Sequence, residues 1–229
     1  MVLVFDMDDT LYEEASYVQS GFKAVAAELS PILKASALKL YGQMLALLKE
    51  HGRGRVFDML LRNHGRHSTR RVRDCVHCYR MHRPRIRLHA AGRACLLRFG
   101  DVPLYVVTDG NKNAQAAKAR ALGLEKLVRR VFITHRHGLQ HAKPSPYCFQ
   151  KIQALEQVPS EQIVYVADDP TKDFLGIRPL GFRTIRVLTG RHAAVRAKPG
   201  AHADITISSL NELTHKLLAQ LGLPSIIIR

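Results

Sequence analysis

Apolar residues fall along this chain in two rhythms. Over residues 17–29 and 36–50 they recur every three to four positions, the spacing of one buried helix face, and the same period continues through roughly 54–63 and 70–81. This stretch is expected to be all-helical until Pro84 ends it. Elsewhere the pattern alternates between short apolar runs and helical periods. Val2–Phe5 is apolar at every position, as in a strand covered on both faces. From Leu88 a helix is expected to about Phe99, then a strand over 103–107, a helix over 112–122, a strand over 131–134 and a helix over 146–156. A strand over Ile163–Ala167, a helix over 173–180, a strand over 184–188, a short strand near Ile205–Ile207 and a helix over 209–221 complete the series. Strands apolar through their length and alternating with helices predict an α/β fold, a doubly wound parallel sheet. The expected division is an α/β core over 1–15 and 86–229 and a small all-helical domain over 16–85.

Composition narrows the setting. With 229 residues, 46% of them hydrophobic, the chain can bury a substantial core. It has no run of 18 apolar residues, so no membrane span is expected. A strand-like beginning that meets Asp6 at once does not read as a signal peptide. Cys75, Cys78, Cys95 and Cys148 do not suggest a disulfide framework, and a reducing cytoplasmic location is expected.

Charge changes the picture more. The net charge is +16, and the stretch 51–98 holds thirteen arginines, no lysine and only Asp58 and Asp74 as acids, a local balance of +11. One reading is a solvated, Arg-rich helical surface. A second is a lobe that draws anions toward an active site. Binding to nucleic acid is not expected, because stacking aromatics are scarce there and Tyr79 is the main one.

The polar residues that matter follow the strands. VFDMDDT (4–10) crowds Asp6, Asp8 and Asp9 just after the first strand, where like charges repel unless a cation or a shared proton relieves them. Thr108-Asp109-Gly110-Asn111 follows the next strand, Asp168-Asp169 follows a later one, and Lys143 lies beyond the strand over 131–134. In open parallel sheets the ligand crevice lies outside the carboxyl ends of the strands, so these four clusters are placed to converge.

The segments FDMDDTLY (5–12), VVTDGN (106–111), KPSPYCF (143–149) and VYVADDPTKDFLGIRPLGFRTIRV (164–187) run in that order and cover most of the chain outside the helical insert. In these the chain resembles the haloacid dehalogenase superfamily of aspartate-nucleophile phosphohydrolases, and the insert resembles that family's mobile cap. The resemblance implies a Rossmann-like core and a division of labour among the residues. Asp6 would attack phosphorus and form an aspartyl phosphate that water then hydrolyses. Asp8 would protonate the leaving oxygen and later take a proton from water, while Asp9 fixes the turn. Dehalogenases similar to this fold lack an acid at the place of Asp8, so a carbon–halogen substrate is not expected. Thr108 would hydrogen-bond a phosphoryl oxygen, with Asp109 and Gly110 shaping the turn and offering N–H groups. Lys143, in a loop stiffened by Pro144 and Pro146, would offset charge on the nucleophile and bind the transferring group. Asp6, the backbone carbonyl of Asp8, and Asp168 would hold Mg²⁺. DDPTKDFLG, set against the family's Gly-Asp-Asn-Pro-x-x-Asp pattern, makes Asp168 the ligand and puts Asp169 in the Asn place. Asp173 would orient a metal-bound water or Lys143, and Ala167 replaces the usual Gly.

Two clusters stand apart. Cys75-x-x-Cys78 with His77 and His82 hints at soft-metal ligands but lacks a second pair, so ordinary helix residues are expected. His135, Arg136, His137 and His141 are expected in a solvated loop that could touch substrate. The function this supports is Mg²⁺-dependent hydrolysis of a small anionic phosphomonoester, a sugar phosphate or a nucleoside monophosphate. A phosphomutase, or a nucleic-acid or acidic-partner binding protein on a phosphatase scaffold, are the alternatives.

Overall fold

The computed structural model describes residues 1–223; the last six positions of the expected core range, 224–229, lie outside the described residues. The chain divides into two compact units, Met1–Glu14 with Arg87 onward, and Ala15–Ile86. Its strands are β1 (Val2–Phe5), β2 (Leu104–Thr108), β3 (Arg130–Ile133), β4 (Ile163–Ala167), β5 (Arg183–Val187) and β6 (Ile205–Ile207). Its helices are α1 (Glu14–Leu33), α2 (Ala37–His51), α3 (Val56–Asn63), α4 (Thr69–Met81), α5 (Ala90–Arg98), α6 (Lys112–Ala121), α7 (Tyr147–Glu156) and α8 (His215–Ala219).

In the first unit the six strands form one parallel sheet in the order β3-β2-β1-β4-β5-β6. β1, β2 and β4 are buried at every position, as their unbroken apolar runs require. One face carries Val2, Val4, Tyr105, Val107, Ile163 and Tyr165, packed with Phe149 and Ile152 of α7 and with Phe174, Ile177 and Phe182. Each fully buried side chain of this size contributes ~1.5–3 kcal/mol relative to an exposed one.

The second unit is helical and has its own core. Val18, Phe22, Val25 and Leu29 of α1 meet Leu40, Met44 and Leu47 of α2, Leu60 and Leu61 of α3, and Cys75 of α4. These positions are the three-to-four-residue spacing seen in the sequence. Of the thirteen arginines over 51–98, all but Arg71 are exposed.

Two expected helices do not form as drawn. Over 173–180 the chain makes turns ending in a single 3-10 turn, Arg178–Leu180. Here the Asp173 carboxylate accepts the Asp169 N–H, and Gly176 lies so close to Pro144 that a Cβ would sit 1.6 Å from its carbonyl oxygen. Tertiary contacts, not helical period, set this backbone. The helix over 209–221 is split because it contains two competing N-caps. Ser209 caps a 3-10 turn, Leu210–Glu212, Leu213 is extended, and Thr214 then caps the short α8 by accepting the Leu217 N–H. No helix among the described residues is long and apolar enough to cross a membrane.

Candidate active site

Sheet order sets the place. From β1 the strands run outward in sequence order on both sides, through β2 and β3 on one and β4, β5 and β6 on the other. The crevice outside the carboxyl ends therefore opens between β1 and β4. Phe5 pairs with Val166, and the Asp6 N–H donates to the Val166 carbonyl at 2.9 Å, which sets Asp6 beside the end of β4. Asp6 also continues the alternation of Val2 and Val4, so its side chain emerges on the face that carries Tyr165.

Lys143 lies on that face. Its side chain is 1% exposed, with Nζ 2.6 Å from Asp6, 2.7 Å from Asp173 and 2.8 Å from the Tyr165 hydroxyl. The Tyr165 hydroxyl in turn donates to Asp173 at 3.1 Å. Burial would lower the pKa of Lys143, but the charges of Asp173 and Asp6 hold it well above the ordinary lysine value. Of the two roles expected of Asp173, the structure shows its contact with Lys143. Tyr165 was not expected here; in an apolar strand it reads as core.

Asp168, nearly buried, closes the other side. Its Oδ2 lies 2.8 Å from His192 Nδ1, and Oδ1 accepts a long hydrogen bond from Thr10 at 3.4 Å. Burial, then the charges of Asp6 and Asp173, push its pKa up to about 9. Asp6 is pushed up to about 7 by burial, against the opposing charge of Lys143. Two buried carboxylates that both resist ionisation form a surplus of oxygen donors suited to a hard divalent cation. No group of three His, Cys, Asp or Glu side chains among the described residues is gathered to hold a metal. The donors expected from the sequence are two carboxylates and the Asp8 backbone carbonyl, and such a sparse set would fit Mg²⁺, which is commonly held by few carboxylates and several waters. Asp169 Oδ2 lies 3.6 Å from His192 Nε2 and 3.9 Å from Lys172 Nζ. Its Oδ1 accepts from the Thr171 N–H and hydroxyl at 2.9 and 2.6 Å, and these bonds outweigh burial to lower its pKa.

Asp8 sits in a nest of donors that the sequence did not announce. Lys118 Nζ is 2.7 Å from Oδ1, the Tyr12 hydroxyl donates to the same oxygen, and Gln115 Nε2 is 2.8 Å from Oδ2. Burial alone would raise the Asp8 pKa, but the Lys118 charge and these hydrogen bonds bring it below the ordinary value. Gln115 and Lys118 are three residues apart on the buried side of α6. That i,i+3 pairing of polar residues among buried alanines was the available signal.

Thr108, at the end of β2, accepts from Gln115 at 2.6 Å. Gly110 takes a φ of 130°, and Asn111 caps α6. Asp109 accepts from the Thr134 hydroxyl at 2.6 Å and from the Lys143 N–H at 3.1 Å, so it anchors the lysine loop. Asp9 accepts the Glu14 N–H at 2.9 Å and fixes the turn. The histidine segment is not simply solvated. His141 stacks on Tyr147 with ring centroids 3.8 Å apart, and His137 lies against the same ring at 5.4 Å. In the helical unit Cys75 is buried, while the His82 ring nitrogens face the Tyr79 carbonyl at 2.6 Å and Ser20 at 3.1 Å.

The haloacid dehalogenase-like hydrolase family profile matches residues 1–181. The chain belongs to that family. It is 27% identical over 230 residues to the glyceraldehyde 3-phosphate phosphatase of Pyrococcus furiosus, covering 96% of this chain and 94% of that protein. In structure it is similar to a 2-haloacid dehalogenase of Pseudomonas syringae, with a TM-score of 0.64 at 23% identity and coverage of 96% and 98%. It is also similar to the HAD-hydrolase YfnB of Bacillus subtilis, solved bound to magnesium, with a TM-score of 0.66 at 19% identity and coverage of 94% and 97%. Those two likenesses concern the fold alone, which serves both dehalogenases and phosphatases. The curated relatives and the acid at position 8 set this member among the phosphatases.

Proposed function

We propose that this chain is a Mg²⁺-dependent phosphomonoesterase of small sugar phosphates, with a triose phosphate such as glyceraldehyde 3-phosphate as the leading candidate. The observation that carries this is Asp6. Its carboxylate stands at the carboxyl end of the central strand, fixed at 2.6 Å by a buried ammonium, with a second acid two residues on. The substrate comes from the name shared by the matched relatives.

Asp6 attacks phosphorus as the ester P–O bond breaks, and the departing oxygen takes a proton from Asp8. Water then attacks the phosphorus of the aspartyl phosphate, Asp8 accepts its proton, and Asp6 is released with inorganic phosphate. A bound Mg²⁺ would hold Asp6 ionised and neutralise phosphoryl charge, with Asp6 and Asp168 as its carboxylate ligands. Lys143 supplies fixed positive charge beside the nucleophile. The donor nest favours Asp8 as the base of the second half-reaction. For the first it must carry a proton, which solvent or the bound phosphate ester has to bring, because the Lys118 charge favours the ionised carboxylate.

Release of inorganic phosphate from a panel of phosphorylated metabolites tests this. Turnover of glyceraldehyde 3-phosphate with Mg²⁺, lost in excess chelator and restored by Mg²⁺, is expected. Undiminished turnover in metal-free protein, or no phosphomonoester hydrolysed at all, would sink the reading.

A further inference from the structure

We infer that His192 is a positioning residue for Asp168, holding that carboxylate so that one oxygen faces the cation site. This rests on the Mg²⁺ reading above and goes beyond it, because the motif segments end before residue 192. His192 Nδ1 lies 2.8 Å from Asp168 Oδ2, and its Nε2 is 3.2 Å from Arg191 Nε. A guanidinium nitrogen can only donate, so Nε2 accepts and the ring proton sits on Nδ1, directed at Asp168. Oδ2 is thereby occupied by the imidazole, while Oδ1 carries only the long contact from Thr10 at 3.4 Å and would be the oxygen offered to a cation.

The loop that carries His192 is clamped from several sides. The Thr189 hydroxyl donates to the Asp9 carbonyl at 2.5 Å, and the Arg191 N–H approaches Asp9 Oδ2 at 3.4 Å. Arg191 Nη1 lies 3.0 Å from Glu14, and Arg186, largely buried, donates to the carbonyls of His192 at 2.8 Å and Val195 at 2.7 Å. At Gly190, with φ 61°, a Cβ would lie 2.2 Å from the Asp9 side chain, so only glycine lets the loop approach this turn. Asp9 thus connects the turn that presents Asp6 and Asp8 with the loop that presents His192.

Partners that orient metal-binding side chains typically change metal affinity 10–100-fold when removed. The test is Mg²⁺ titration of wild type, His192→Asn and His192→Gln by calorimetry and by thermal shift. Asn can place an N–H where Nδ1–H stands; Gln reaches toward the Nε2 position. His192→Gln is expected to bind Mg²⁺ roughly 10–100-fold more weakly, and His192→Asn to stay within a few-fold of wild type. Turnover at saturating Mg²⁺ should change little, so the loss appears in the Mg²⁺ concentration required. Equal affinity in wild type and both variants, or tighter binding in the Gln variant, overturns the role of His192 and leaves the Mg²⁺ reading standing. Absence of Mg²⁺ binding by wild type overturns both.

Discussion

Asp6→Asn is expected to fold and not to turn over. The substitution removes the nucleophilic oxygen's charge but keeps the shape of a buried side chain. Lys143 remains paired, because Asp173 lies 2.7 Å from the same ammonium. Removing a carboxylate that burial has already pushed up to about 7 also removes a group that is costly to ionise. Thermal midpoint and circular dichroism should therefore stay close to wild type. The kcat on any phosphomonoester should fall by more than roughly 10³-fold, since the route through a covalent intermediate is closed. A folded variant with near-wild-type kcat would show that another group attacks phosphorus.

Lys143→Met should cost both activity and stability, and the stability loss should depend on pH. In wild type the ammonium stands between two carboxylates of which Asp6 is 9% and Asp173 0% exposed at the side chain. Replacing it leaves those carboxylates facing one another without a cation, a loss of about 3–5 kcal/mol for one partner of a buried ion pair. The sign with pH follows from Asp6. Its folded pKa already exceeds that of an unfolded aspartate, and without Lys143 it would rise further. The folded variant then binds more protons than the unfolded chain above pH ~4, so its stability falls as pH rises through neutrality. Denaturant unfolding at pH 5 and pH 8 measures this. The gap between variant and wild type should be wider at pH 8; an equal gap at both would mean that Lys143 does not balance buried carboxylate charge.

The sequence made the sheet legible because its central strands, β1, β2 and β4, are near-continuous apolar runs buried at every position. Short runs of Val, Ile, Leu and aromatic residues between turn signals leave few alternatives, although β5 carries Arg183 and Arg186 within its run. Asp6 and Asp168 were legible for a related reason, since charge at the end of a buried strand needs a partner, whereas Lys143, ten residues beyond β3, was legible only through the family resemblance of KPSPYCF. Other parts of the site gave no such sign. Tyr165 is one aromatic in the run Ile163–Ala167, and nothing local distinguishes a tyrosine that bonds Lys143 from one that only packs. Gln115 and Lys118 lie in an alanine-rich helix whose buried side could be assigned only once the neighbouring strand ends were placed. His192 reaches Asp168 through a loop fixed by Asp9, a contact between residues more than 180 positions apart. The helix expected over 173–180 failed for the same reason, because the close approach of Gly176 to Pro144 is tertiary and leaves no periodic trace.

The chemistry assigned to Asp6 can be captured directly. Wild-type protein turning over an aryl phosphate with Mg²⁺ is treated with borohydride, which reduces an acyl phosphate to the alcohol, and its peptides are analysed by mass spectrometry. Homoserine in place of Asp6, appearing only when both substrate and Mg²⁺ are present, is the expected result. Continued turnover with position 6 unmodified, or reduction at a different acidic residue, would contradict the assignment of Asp6 as the nucleophile.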